Sequence, residues 1–244
     1  MPKIYLSPST QESNPYINGG TEEQYMNLLA DELEPYLISN AIAFTRNSPD
    51  MTAASSIRQA NAGNYNFYLA LHSNAAGEAN TGTVRGSIAF YCAKSRNGKR
   101  AADLIVKNLK TIYPLPELVR AVATTSLGEV TMTRMPAVLV EIAYHDNLED
   151  AVWIQTNLPL IASNLAVSLT EYFGIPFIPA TQPRWGTVEL SWGSLNLRQK
   201  PSLSANILAH IPNHARVLVL GQWQNWYSID YNGILGYASA DYIS

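Results

Sequence analysis

A chain of 244 residues with 47% hydrophobic side chains has ample apolar matter for a packed core, which excludes a disordered chain. A formal net charge of −3 gives no general attraction to polyanions, so neither a nucleic-acid partner nor insertion into a membrane is expected. The single cysteine, Cys92, excludes an internal disulfide framework and thiolate-rich zinc sites, which leaves His, Asp, Glu or neutral oxygens for any metal. No basic-then-apolar leader opens the sequence and no apolar run approaches the ~18 residues of a membrane span, so no signal peptide is expected here.

In chain order, residues 1–6 read as a strand and 7–20, with Pro8, Pro15, Gly19 and Gly20, as a turn-rich loop. Thr21 and Gln24 form a capping box that opens a helix over about 22–38, with Leu28, Leu29, Leu33, Tyr36 and Leu37 expected on its apolar stripe. A strand is expected at 41–45, loop to about 56, a short helix at 57–62, and a strand over 66–72. A small-residue loop at 77–83 precedes a strand at 86–91, and 97–112 has helical periodicity. Residues 114–134 show no regular pattern, 137–141 read as a strand, and one or two helices cover 148–173. This alternation predicts an α/β domain over 1–175, an open mixed sheet flanked by helices. Pro176, Pro179 and Pro183 predict a stiff linker over 176–184. From 185 to 244, six short alternating segments separated by Gly, Asn and Pro predict a small all-β barrel.

Two strands end abruptly in ionisable residues, Leu71 in His72 and Val140 in Glu141. Packing requires nothing polar there, and in open α/β sheets ligands bind beyond the carboxyl ends of the strands. Glu23 falls in the first turn of the first long helix, where a carboxylate also suits the helix dipole. One imidazole and two carboxylates of this kind can hold zinc with an open position, or divide into metal ligands and a general base.

These segments resemble the zinc-dependent N-acetylmuramoyl-L-alanine amidases of the amidase-3 family. The resemblance rests on the Glu-x-x-x-Asn-Leu spacing from Glu23 to Asn27 and Leu28, on Thr45-Arg46, and on Arg58 with Ala60-Asn61. It rests further on Leu71-His72-Ser73-Asn74-Ala75 and on Pro136-Ala137-Val138-Leu139-Val140-Glu141, leading to Tyr144 and Asn147. It implies Glu23 and His72 as metal ligands and Glu141 as the catalytic carboxylate. The metal would be zinc or another divalent ion, and the substrate peptidoglycan, cut between N-acetylmuramic acid and L-alanine. The sequence departs from the family where a first histidine ligand is expected after strand one. Thr10 stands there, with Gln11 a substitute by position and Glu12 by charge. Glu12 and His145 are the two candidates for the third ligand, and Asn74 and Arg134 are candidate substrate-binding residues.

The C-terminal segments resemble bacterial SH3 domains through Leu195-Asn196-Leu197-Arg198, Trp226-Tyr227-Ser228-Ile229, Asn232-Gly233 and Gly236-Tyr237. Such a module implies wall targeting, hence a peptidoglycan hydrolase, an autolysin or endolysin, acting outside the cell at the wall. The missing histidine motivates the rival expectation of a catalytically inactive wall-binding protein.

Overall fold

A computed structural model describes all 244 residues, Met1–Ser244. It divides into two compact units: residues 3–33 with 44–172, and residues 1–2 with 34–43 and 173–244.

The first unit is built on β1(Lys3–Pro8), α1(Glu22–Ser39), β2(Ala43–Arg46), α2(Ala53–Ala62), β3(Phe67–Asn74), β4(Ser87–Cys92), α3(Arg96–Leu109), β5(Val119–Thr124), α4(Gly128–Thr131), β6(Ala137–Tyr144), α5(Leu148–Thr156) and α6(Leu158–Phe173). Its sheet runs β2-β1-β3-β6-β4-β5. β1, β3 and β6 are parallel, β4 lies antiparallel to β6, and β5 is parallel to β4. The sheet is therefore mixed, as the sequence predicts. The stretch read as patternless, 114–134, carries edge strand β5 and the single-turn helix α4. Both are too short to impose a period on the sequence.

Two features of this sheet build the site. The chain leaves β1 toward one side of the sheet, through α1 to β2, and β3 lies on the other side of β1. The crevice between β1 and β3 is thus a topological switch point, open beyond the carboxyl ends of the strands. The pairing register then fixes which side chains share a face. Tyr68 faces Ala137, Ala70 faces Leu139 and His72 faces Glu141, while Tyr5 and Ser7 of β1 pair with Tyr68 and Ala70. With a side-chain period of two, these residues form rows on one face of the sheet. Tyr5, Tyr68, Ala70, Ala137 and Leu139 cluster there with Ala60 of α2 and Val130 of α4. The Tyr5 and Tyr68 rings stack at 5.2 Å.

Asp150 of α5 is fully buried and accepts from Arg85 Nε at 2.9 Å, Gly86 N at 3.1 Å, Tyr113 Oη at 2.6 Å and Tyr144 N at 3.2 Å. It ties the end of β6 to the loop that enters β4.

In the second unit β7(Arg184–Thr187), β8(Ser194–Arg198), β9(Ile207–Pro212), β10(Arg216–Trp223), β11(Trp226–Tyr231) and β12(Ile234–Ser239) form an antiparallel sheet ordered β7-β10-β11-β12-β8-β9. Its core holds Val188, Leu195, Leu197, Ile211, Val217, Val219, Ile229 and Ala238. The proline segment at 176–184 is fastened rather than free. Asn40 accepts from Ile178 N at 2.7 Å and donates to Ile178 O at 2.8 Å, and Thr181 donates to Leu220 O at 2.7 Å.

Replacing Asp150 by Ala strands three buried donors, Gly86 N, Tyr113 Oη and Tyr144 N, and leaves the half-buried Arg85 with Glu149 as its ion-pair partner. A buried donor left unpaired costs roughly 1–3 kcal/mol, so Asp150→Ala should lose about 3 kcal/mol or more of unfolding free energy in urea. A loss below about 1 kcal/mol would show that water replaces the carboxylate.

Candidate active site

His72 is nearly buried at the end of β3, and each ring nitrogen meets a carboxylate. Nδ1 lies 2.8 Å from Glu22 Oε1, and Nε2 lies 2.9 Å from Glu129 Oε2. Burial disfavours the charged ring, but the bonds to Glu129 and Glu22 outweigh it and push His72 up to about 10. Burial likewise raises the two carboxylates, and their bonds to His72 reverse this and hold both below the usual range.

Glu22, not the expected Glu23, supplies the carboxylate from α1. Glu22 is 1% exposed and turned inward, whereas Glu23 remains partly exposed and only its backbone carbonyl is engaged, by Asn27. One residue along a helix turns the side chain by roughly 100°, so the two neighbours cannot both point into the crevice. The loop before α1 sets which one does, because Glu22 N donates to Asn14 O at 2.9 Å. Asn14 Nδ2 in turn donates to Glu22 Oε2 at 2.7 Å and to Gln11 Oε1 at 3.0 Å. Gln11 Nε2 then stands 3.5 Å from both Glu22 Oε1 and His72 Nδ1. Asn27 Nδ2 reaches Ser9 O at 3.3 Å, and Arg46 holds Asn27 in place, so the motif residues Arg46 and Asn27 anchor this loop.

Glu141 enters from β6 beside His72, in register with it. Its Oε2 is shut off from solvent and has no hydrogen-bond partner. Burial pushes its carboxyl up to about 7; His72 opposes the rise, and Glu22 and Glu129 add to it. His72 and Glu141 both line a groove of about 530 Å³, whose walls include Ser9, Gln11, Asn47, Leu127 and Glu129.

Four other expected residues lie elsewhere. Glu12 is exposed on the loop. His145 is buried, stacked on Tyr16 at 5.3 Å, with Nδ1 held by Ser73 O at 2.8 Å, so it does not reach the crevice. Asn74 caps its own turn through Ala75 N at 2.9 Å. Arg134 precedes β6 and bonds Asn61 O at 3.2 Å, which places it at the amino end of the strand that carries Glu141. Seven extended residues separate the two by roughly 23 Å. Sequence reasoning missed Glu129, which lies within 114–134. Its signal was a carboxylate set between Leu127 and Val130.

No three His, Cys, Asp or Glu side chains gather as a metal cluster. Glu22 and Glu129 sit against opposite nitrogens of His72 and cannot share one ion. Gln11, Glu22 and His72 nevertheless set three polar atoms 2.8–3.5 Å apart. Donors at about 2.1 Å from a tetrahedral ion stand ~3.4 Å from one another, so the triangle has the size of one coordination face. Gln11 presents its amide nitrogen to this face; a half-turn that offers the oxygen gives up the bond Oε1 accepts from Asn14 Nδ2 at 3.0 Å, which a bound cation would have to replace. The donor set thus fits a divalent ion with two strong ligands and one neutral oxygen.

Comparison with known proteins gives a consistent picture. The family model described as N-acetylmuramoyl-L-alanine amidase matches residues 8–171, and that described as bacterial SH3 domain matches 193–244. No curated protein matches the chain. Among solved structures, the catalytic domain of CwlV, an N-acetylmuramoyl-L-alanine amidase from Bacillus (Paenibacillus) polymyxa var. colistinus, superposes with a TM-score of 0.62 at 18% identity, covering 72% of this chain and 100% of its own. The amidase AmiC2 of Nostoc punctiforme gives 0.63 at 14%, over 71% and 97%. The catalytic domain of the endolysin CD27L, described as targeting Clostridia difficile, gives 0.59 at 20%, over 70% and 98%. At these identities the likeness is one of fold.

The raised carboxyl of Glu141 has a stability consequence. Between 4.5 and about 7 the folded protein keeps a proton that the unfolded chain releases. This group therefore lowers stability as pH rises through that window. Glu141→Gln cannot ionise, so in chelator its unfolding free energy should gain on wild type by up to about 3 kcal/mol between pH 4.5 and 8. The same difference at both pH values would mean that Glu141 ionises freely in the fold.

Proposed function

Because the chain belongs to the N-acetylmuramoyl-L-alanine amidase family and is a peptidoglycan amidase, we propose that it hydrolyses the amide between N-acetylmuramic acid and L-alanine with Glu141 as general base. The observation that carries this reading is Glu141 Oε2, a buried and unpartnered acceptor beside His72, lining the groove. A carboxylate near pH 7 in its affinity for a proton is matched to both halves of the reaction. Oε2 takes a proton from the attacking water and returns it to the leaving nitrogen of L-alanine. The groove walls hold glycan and stem peptide on either side of the scissile amide.

We assign Glu22 Oε1, His72 Nδ1 and the Gln11 amide oxygen as the group that holds a divalent cation. Bound there, the cation would polarise the amide carbonyl and make water a stronger acid. Zinc is the ion that the family resemblance implies. A face with two oxygens and one nitrogen discriminates less sharply between zinc and manganese than two imidazoles would. Asn14 and Ser73 N orient Glu22 from behind, which keeps Oε1 in place.

The barrel supplies a second, separate surface. Trp192, 87% exposed, lines a groove with Leu203, Trp226 and Tyr242. Exposed aromatic faces beside polar groups suit sugar rings and peptide backbone. Holding the polymer there would raise the local concentration of enzyme on an insoluble substrate, and the site of action is the cell wall, outside the cell.

Two measurements test this reading. Mass spectrometry of digested wall should show free stem peptides beginning at L-alanine with uncut glycan strands, lost on chelation and restored by Zn²⁺ or Mn²⁺. Glu141→Gln should slow this release by at least about 10²-fold with folding intact, and near wild-type activity would remove Glu141 from the chemistry. Trp192→Ala should leave hydrolysis of soluble muropeptides unchanged and cut co-sedimentation with insoluble wall several-fold. Undiminished sedimentation would exclude the Trp192 groove as the wall contact.

A further inference from the structure

Glu129 is the one buried carboxylate of the site with no part in the chemistry above. We propose that it is a positioning residue, holding the His72 ring through Nε2 so that Nδ1 is presented to the corner shared with Glu22 and Gln11. The inference rests on the cation-binding reading of that corner.

The geometry at Glu129 is that of a fixed holder. Oε2 is spent on His72 Nε2 at 2.9 Å. Oε1 accepts from Tyr68 Oη at 2.7 Å and from Ser7 Oγ at 2.9 Å. The Tyr68 and Ser7 hydroxyl oxygens stand 2.9 Å apart, and the hydrogen of each is spent on Glu129. These partners come from β1 and β3, the strands on either side of the crevice, so the carboxylate is referenced to the sheet itself. It is 6% exposed, and an ionised group so buried persists only where its lone pairs are met. A ring at the end of a strand has two wells about its last torsion. A carboxylate on Nε2 selects the one that leaves Nδ1 facing Glu22.

The same bond tunes the ligand. A histidine that donates to a carboxylate through one nitrogen is a stronger donor through the other. That matters more here than at a two-histidine site, because the Gln11 corner offers only a neutral amide. Glu129 thus offsets, from behind His72, part of what the absent imidazole would have contributed in front.

The test uses the full chain labelled with ¹⁵N-histidine and two variants, Glu129→Gln, which keeps the volume, and Glu129→Asp, which keeps the charge and shortens the reach. Calorimetric titration with Zn²⁺ and with Mn²⁺ should show a 10- to 100-fold loss of affinity in Glu129→Gln. The metal-free wild type should show a slowly exchanging His72 Nε2–H resonance, assigned by its disappearance in His72→Asn and absent from Glu129→Gln. Should Glu129→Gln fail to fold, Glu129→Asp carries the same two readouts. Unchanged affinity together with a persisting Nε2–H resonance would overturn the proposal. A wild type that binds neither ion would sink the cation-binding reading alone, and the resonance would then decide whether Glu129 holds the ring.

Discussion

The arrangement depends on one imidazole clasped between two carboxylates at the carboxyl end of β3. A nearly buried histidine with a carboxylate on each nitrogen is a demanding construction, since each partner must be brought out of water and its remaining lone pairs met. The molecule meets that demand from four directions. The first turn of α1 brings Glu22, the loop after β1 brings Asn14 and Gln11 to it, α4 brings Glu129, and β1 and β3 supply Ser7 and Tyr68. Moving any of these elements breaks a bond that would leave a buried charge unpaired.

The clasp also explains why Glu141 stands alone. Register places it directly beside His72, the nearest cation, yet both ring nitrogens are already claimed. No donor is left for Oε2, and two further carboxylates stand close enough to raise its affinity for a proton. The unpartnered state of Glu141 and the doubly partnered state of His72 are one fact seen from two strands. An acceptor prepared in this way is poor for stability and well suited to taking a proton from a substrate or a water.

Much of this was legible in the sequence, for identifiable reasons. His72 and Glu141 stood out because each ends an apolar strand, where packing alone calls for nothing polar. Alternating strands and helices gave the mixed sheet, and the change of period after residue 184 gave the barrel. What was not legible depends on distances shorter than a pattern can resolve. The Glu-x-x-x-Asn-Leu spacing selects Glu23, but a loop bond to Asn14 turns Glu22 inward instead, and a helix offers no compromise between adjacent residues. Glu129 rides on a helix of four residues, too brief to show periodicity. Arg134 is near Glu141 only when proximity is counted along the chain, because an extended strand carries its two ends far apart. The proline segment read as a stiff linker is bonded to Asn40, a residue about 140 positions away with nothing in its sequence context to announce the bond.

Thr10 stands where an imidazole is expected, but the loop after β1 delivers the next residue, Gln11, to within 3.5 Å of both Glu22 and His72. An amide oxygen is a weaker and harder donor than an imidazole, so a cation held as proposed would bind less tightly, with a tilt toward ions that accept oxygen ligands. In the proposed role of Glu129 its carboxylate would act in the opposite sense on affinity, by strengthening the one imidazole that remains. The two departures from a two-histidine site lie on opposite sides of the same ring. In that reading the loss in front of His72 and the gain behind it would belong to one balance, struck through the basicity of a single nitrogen.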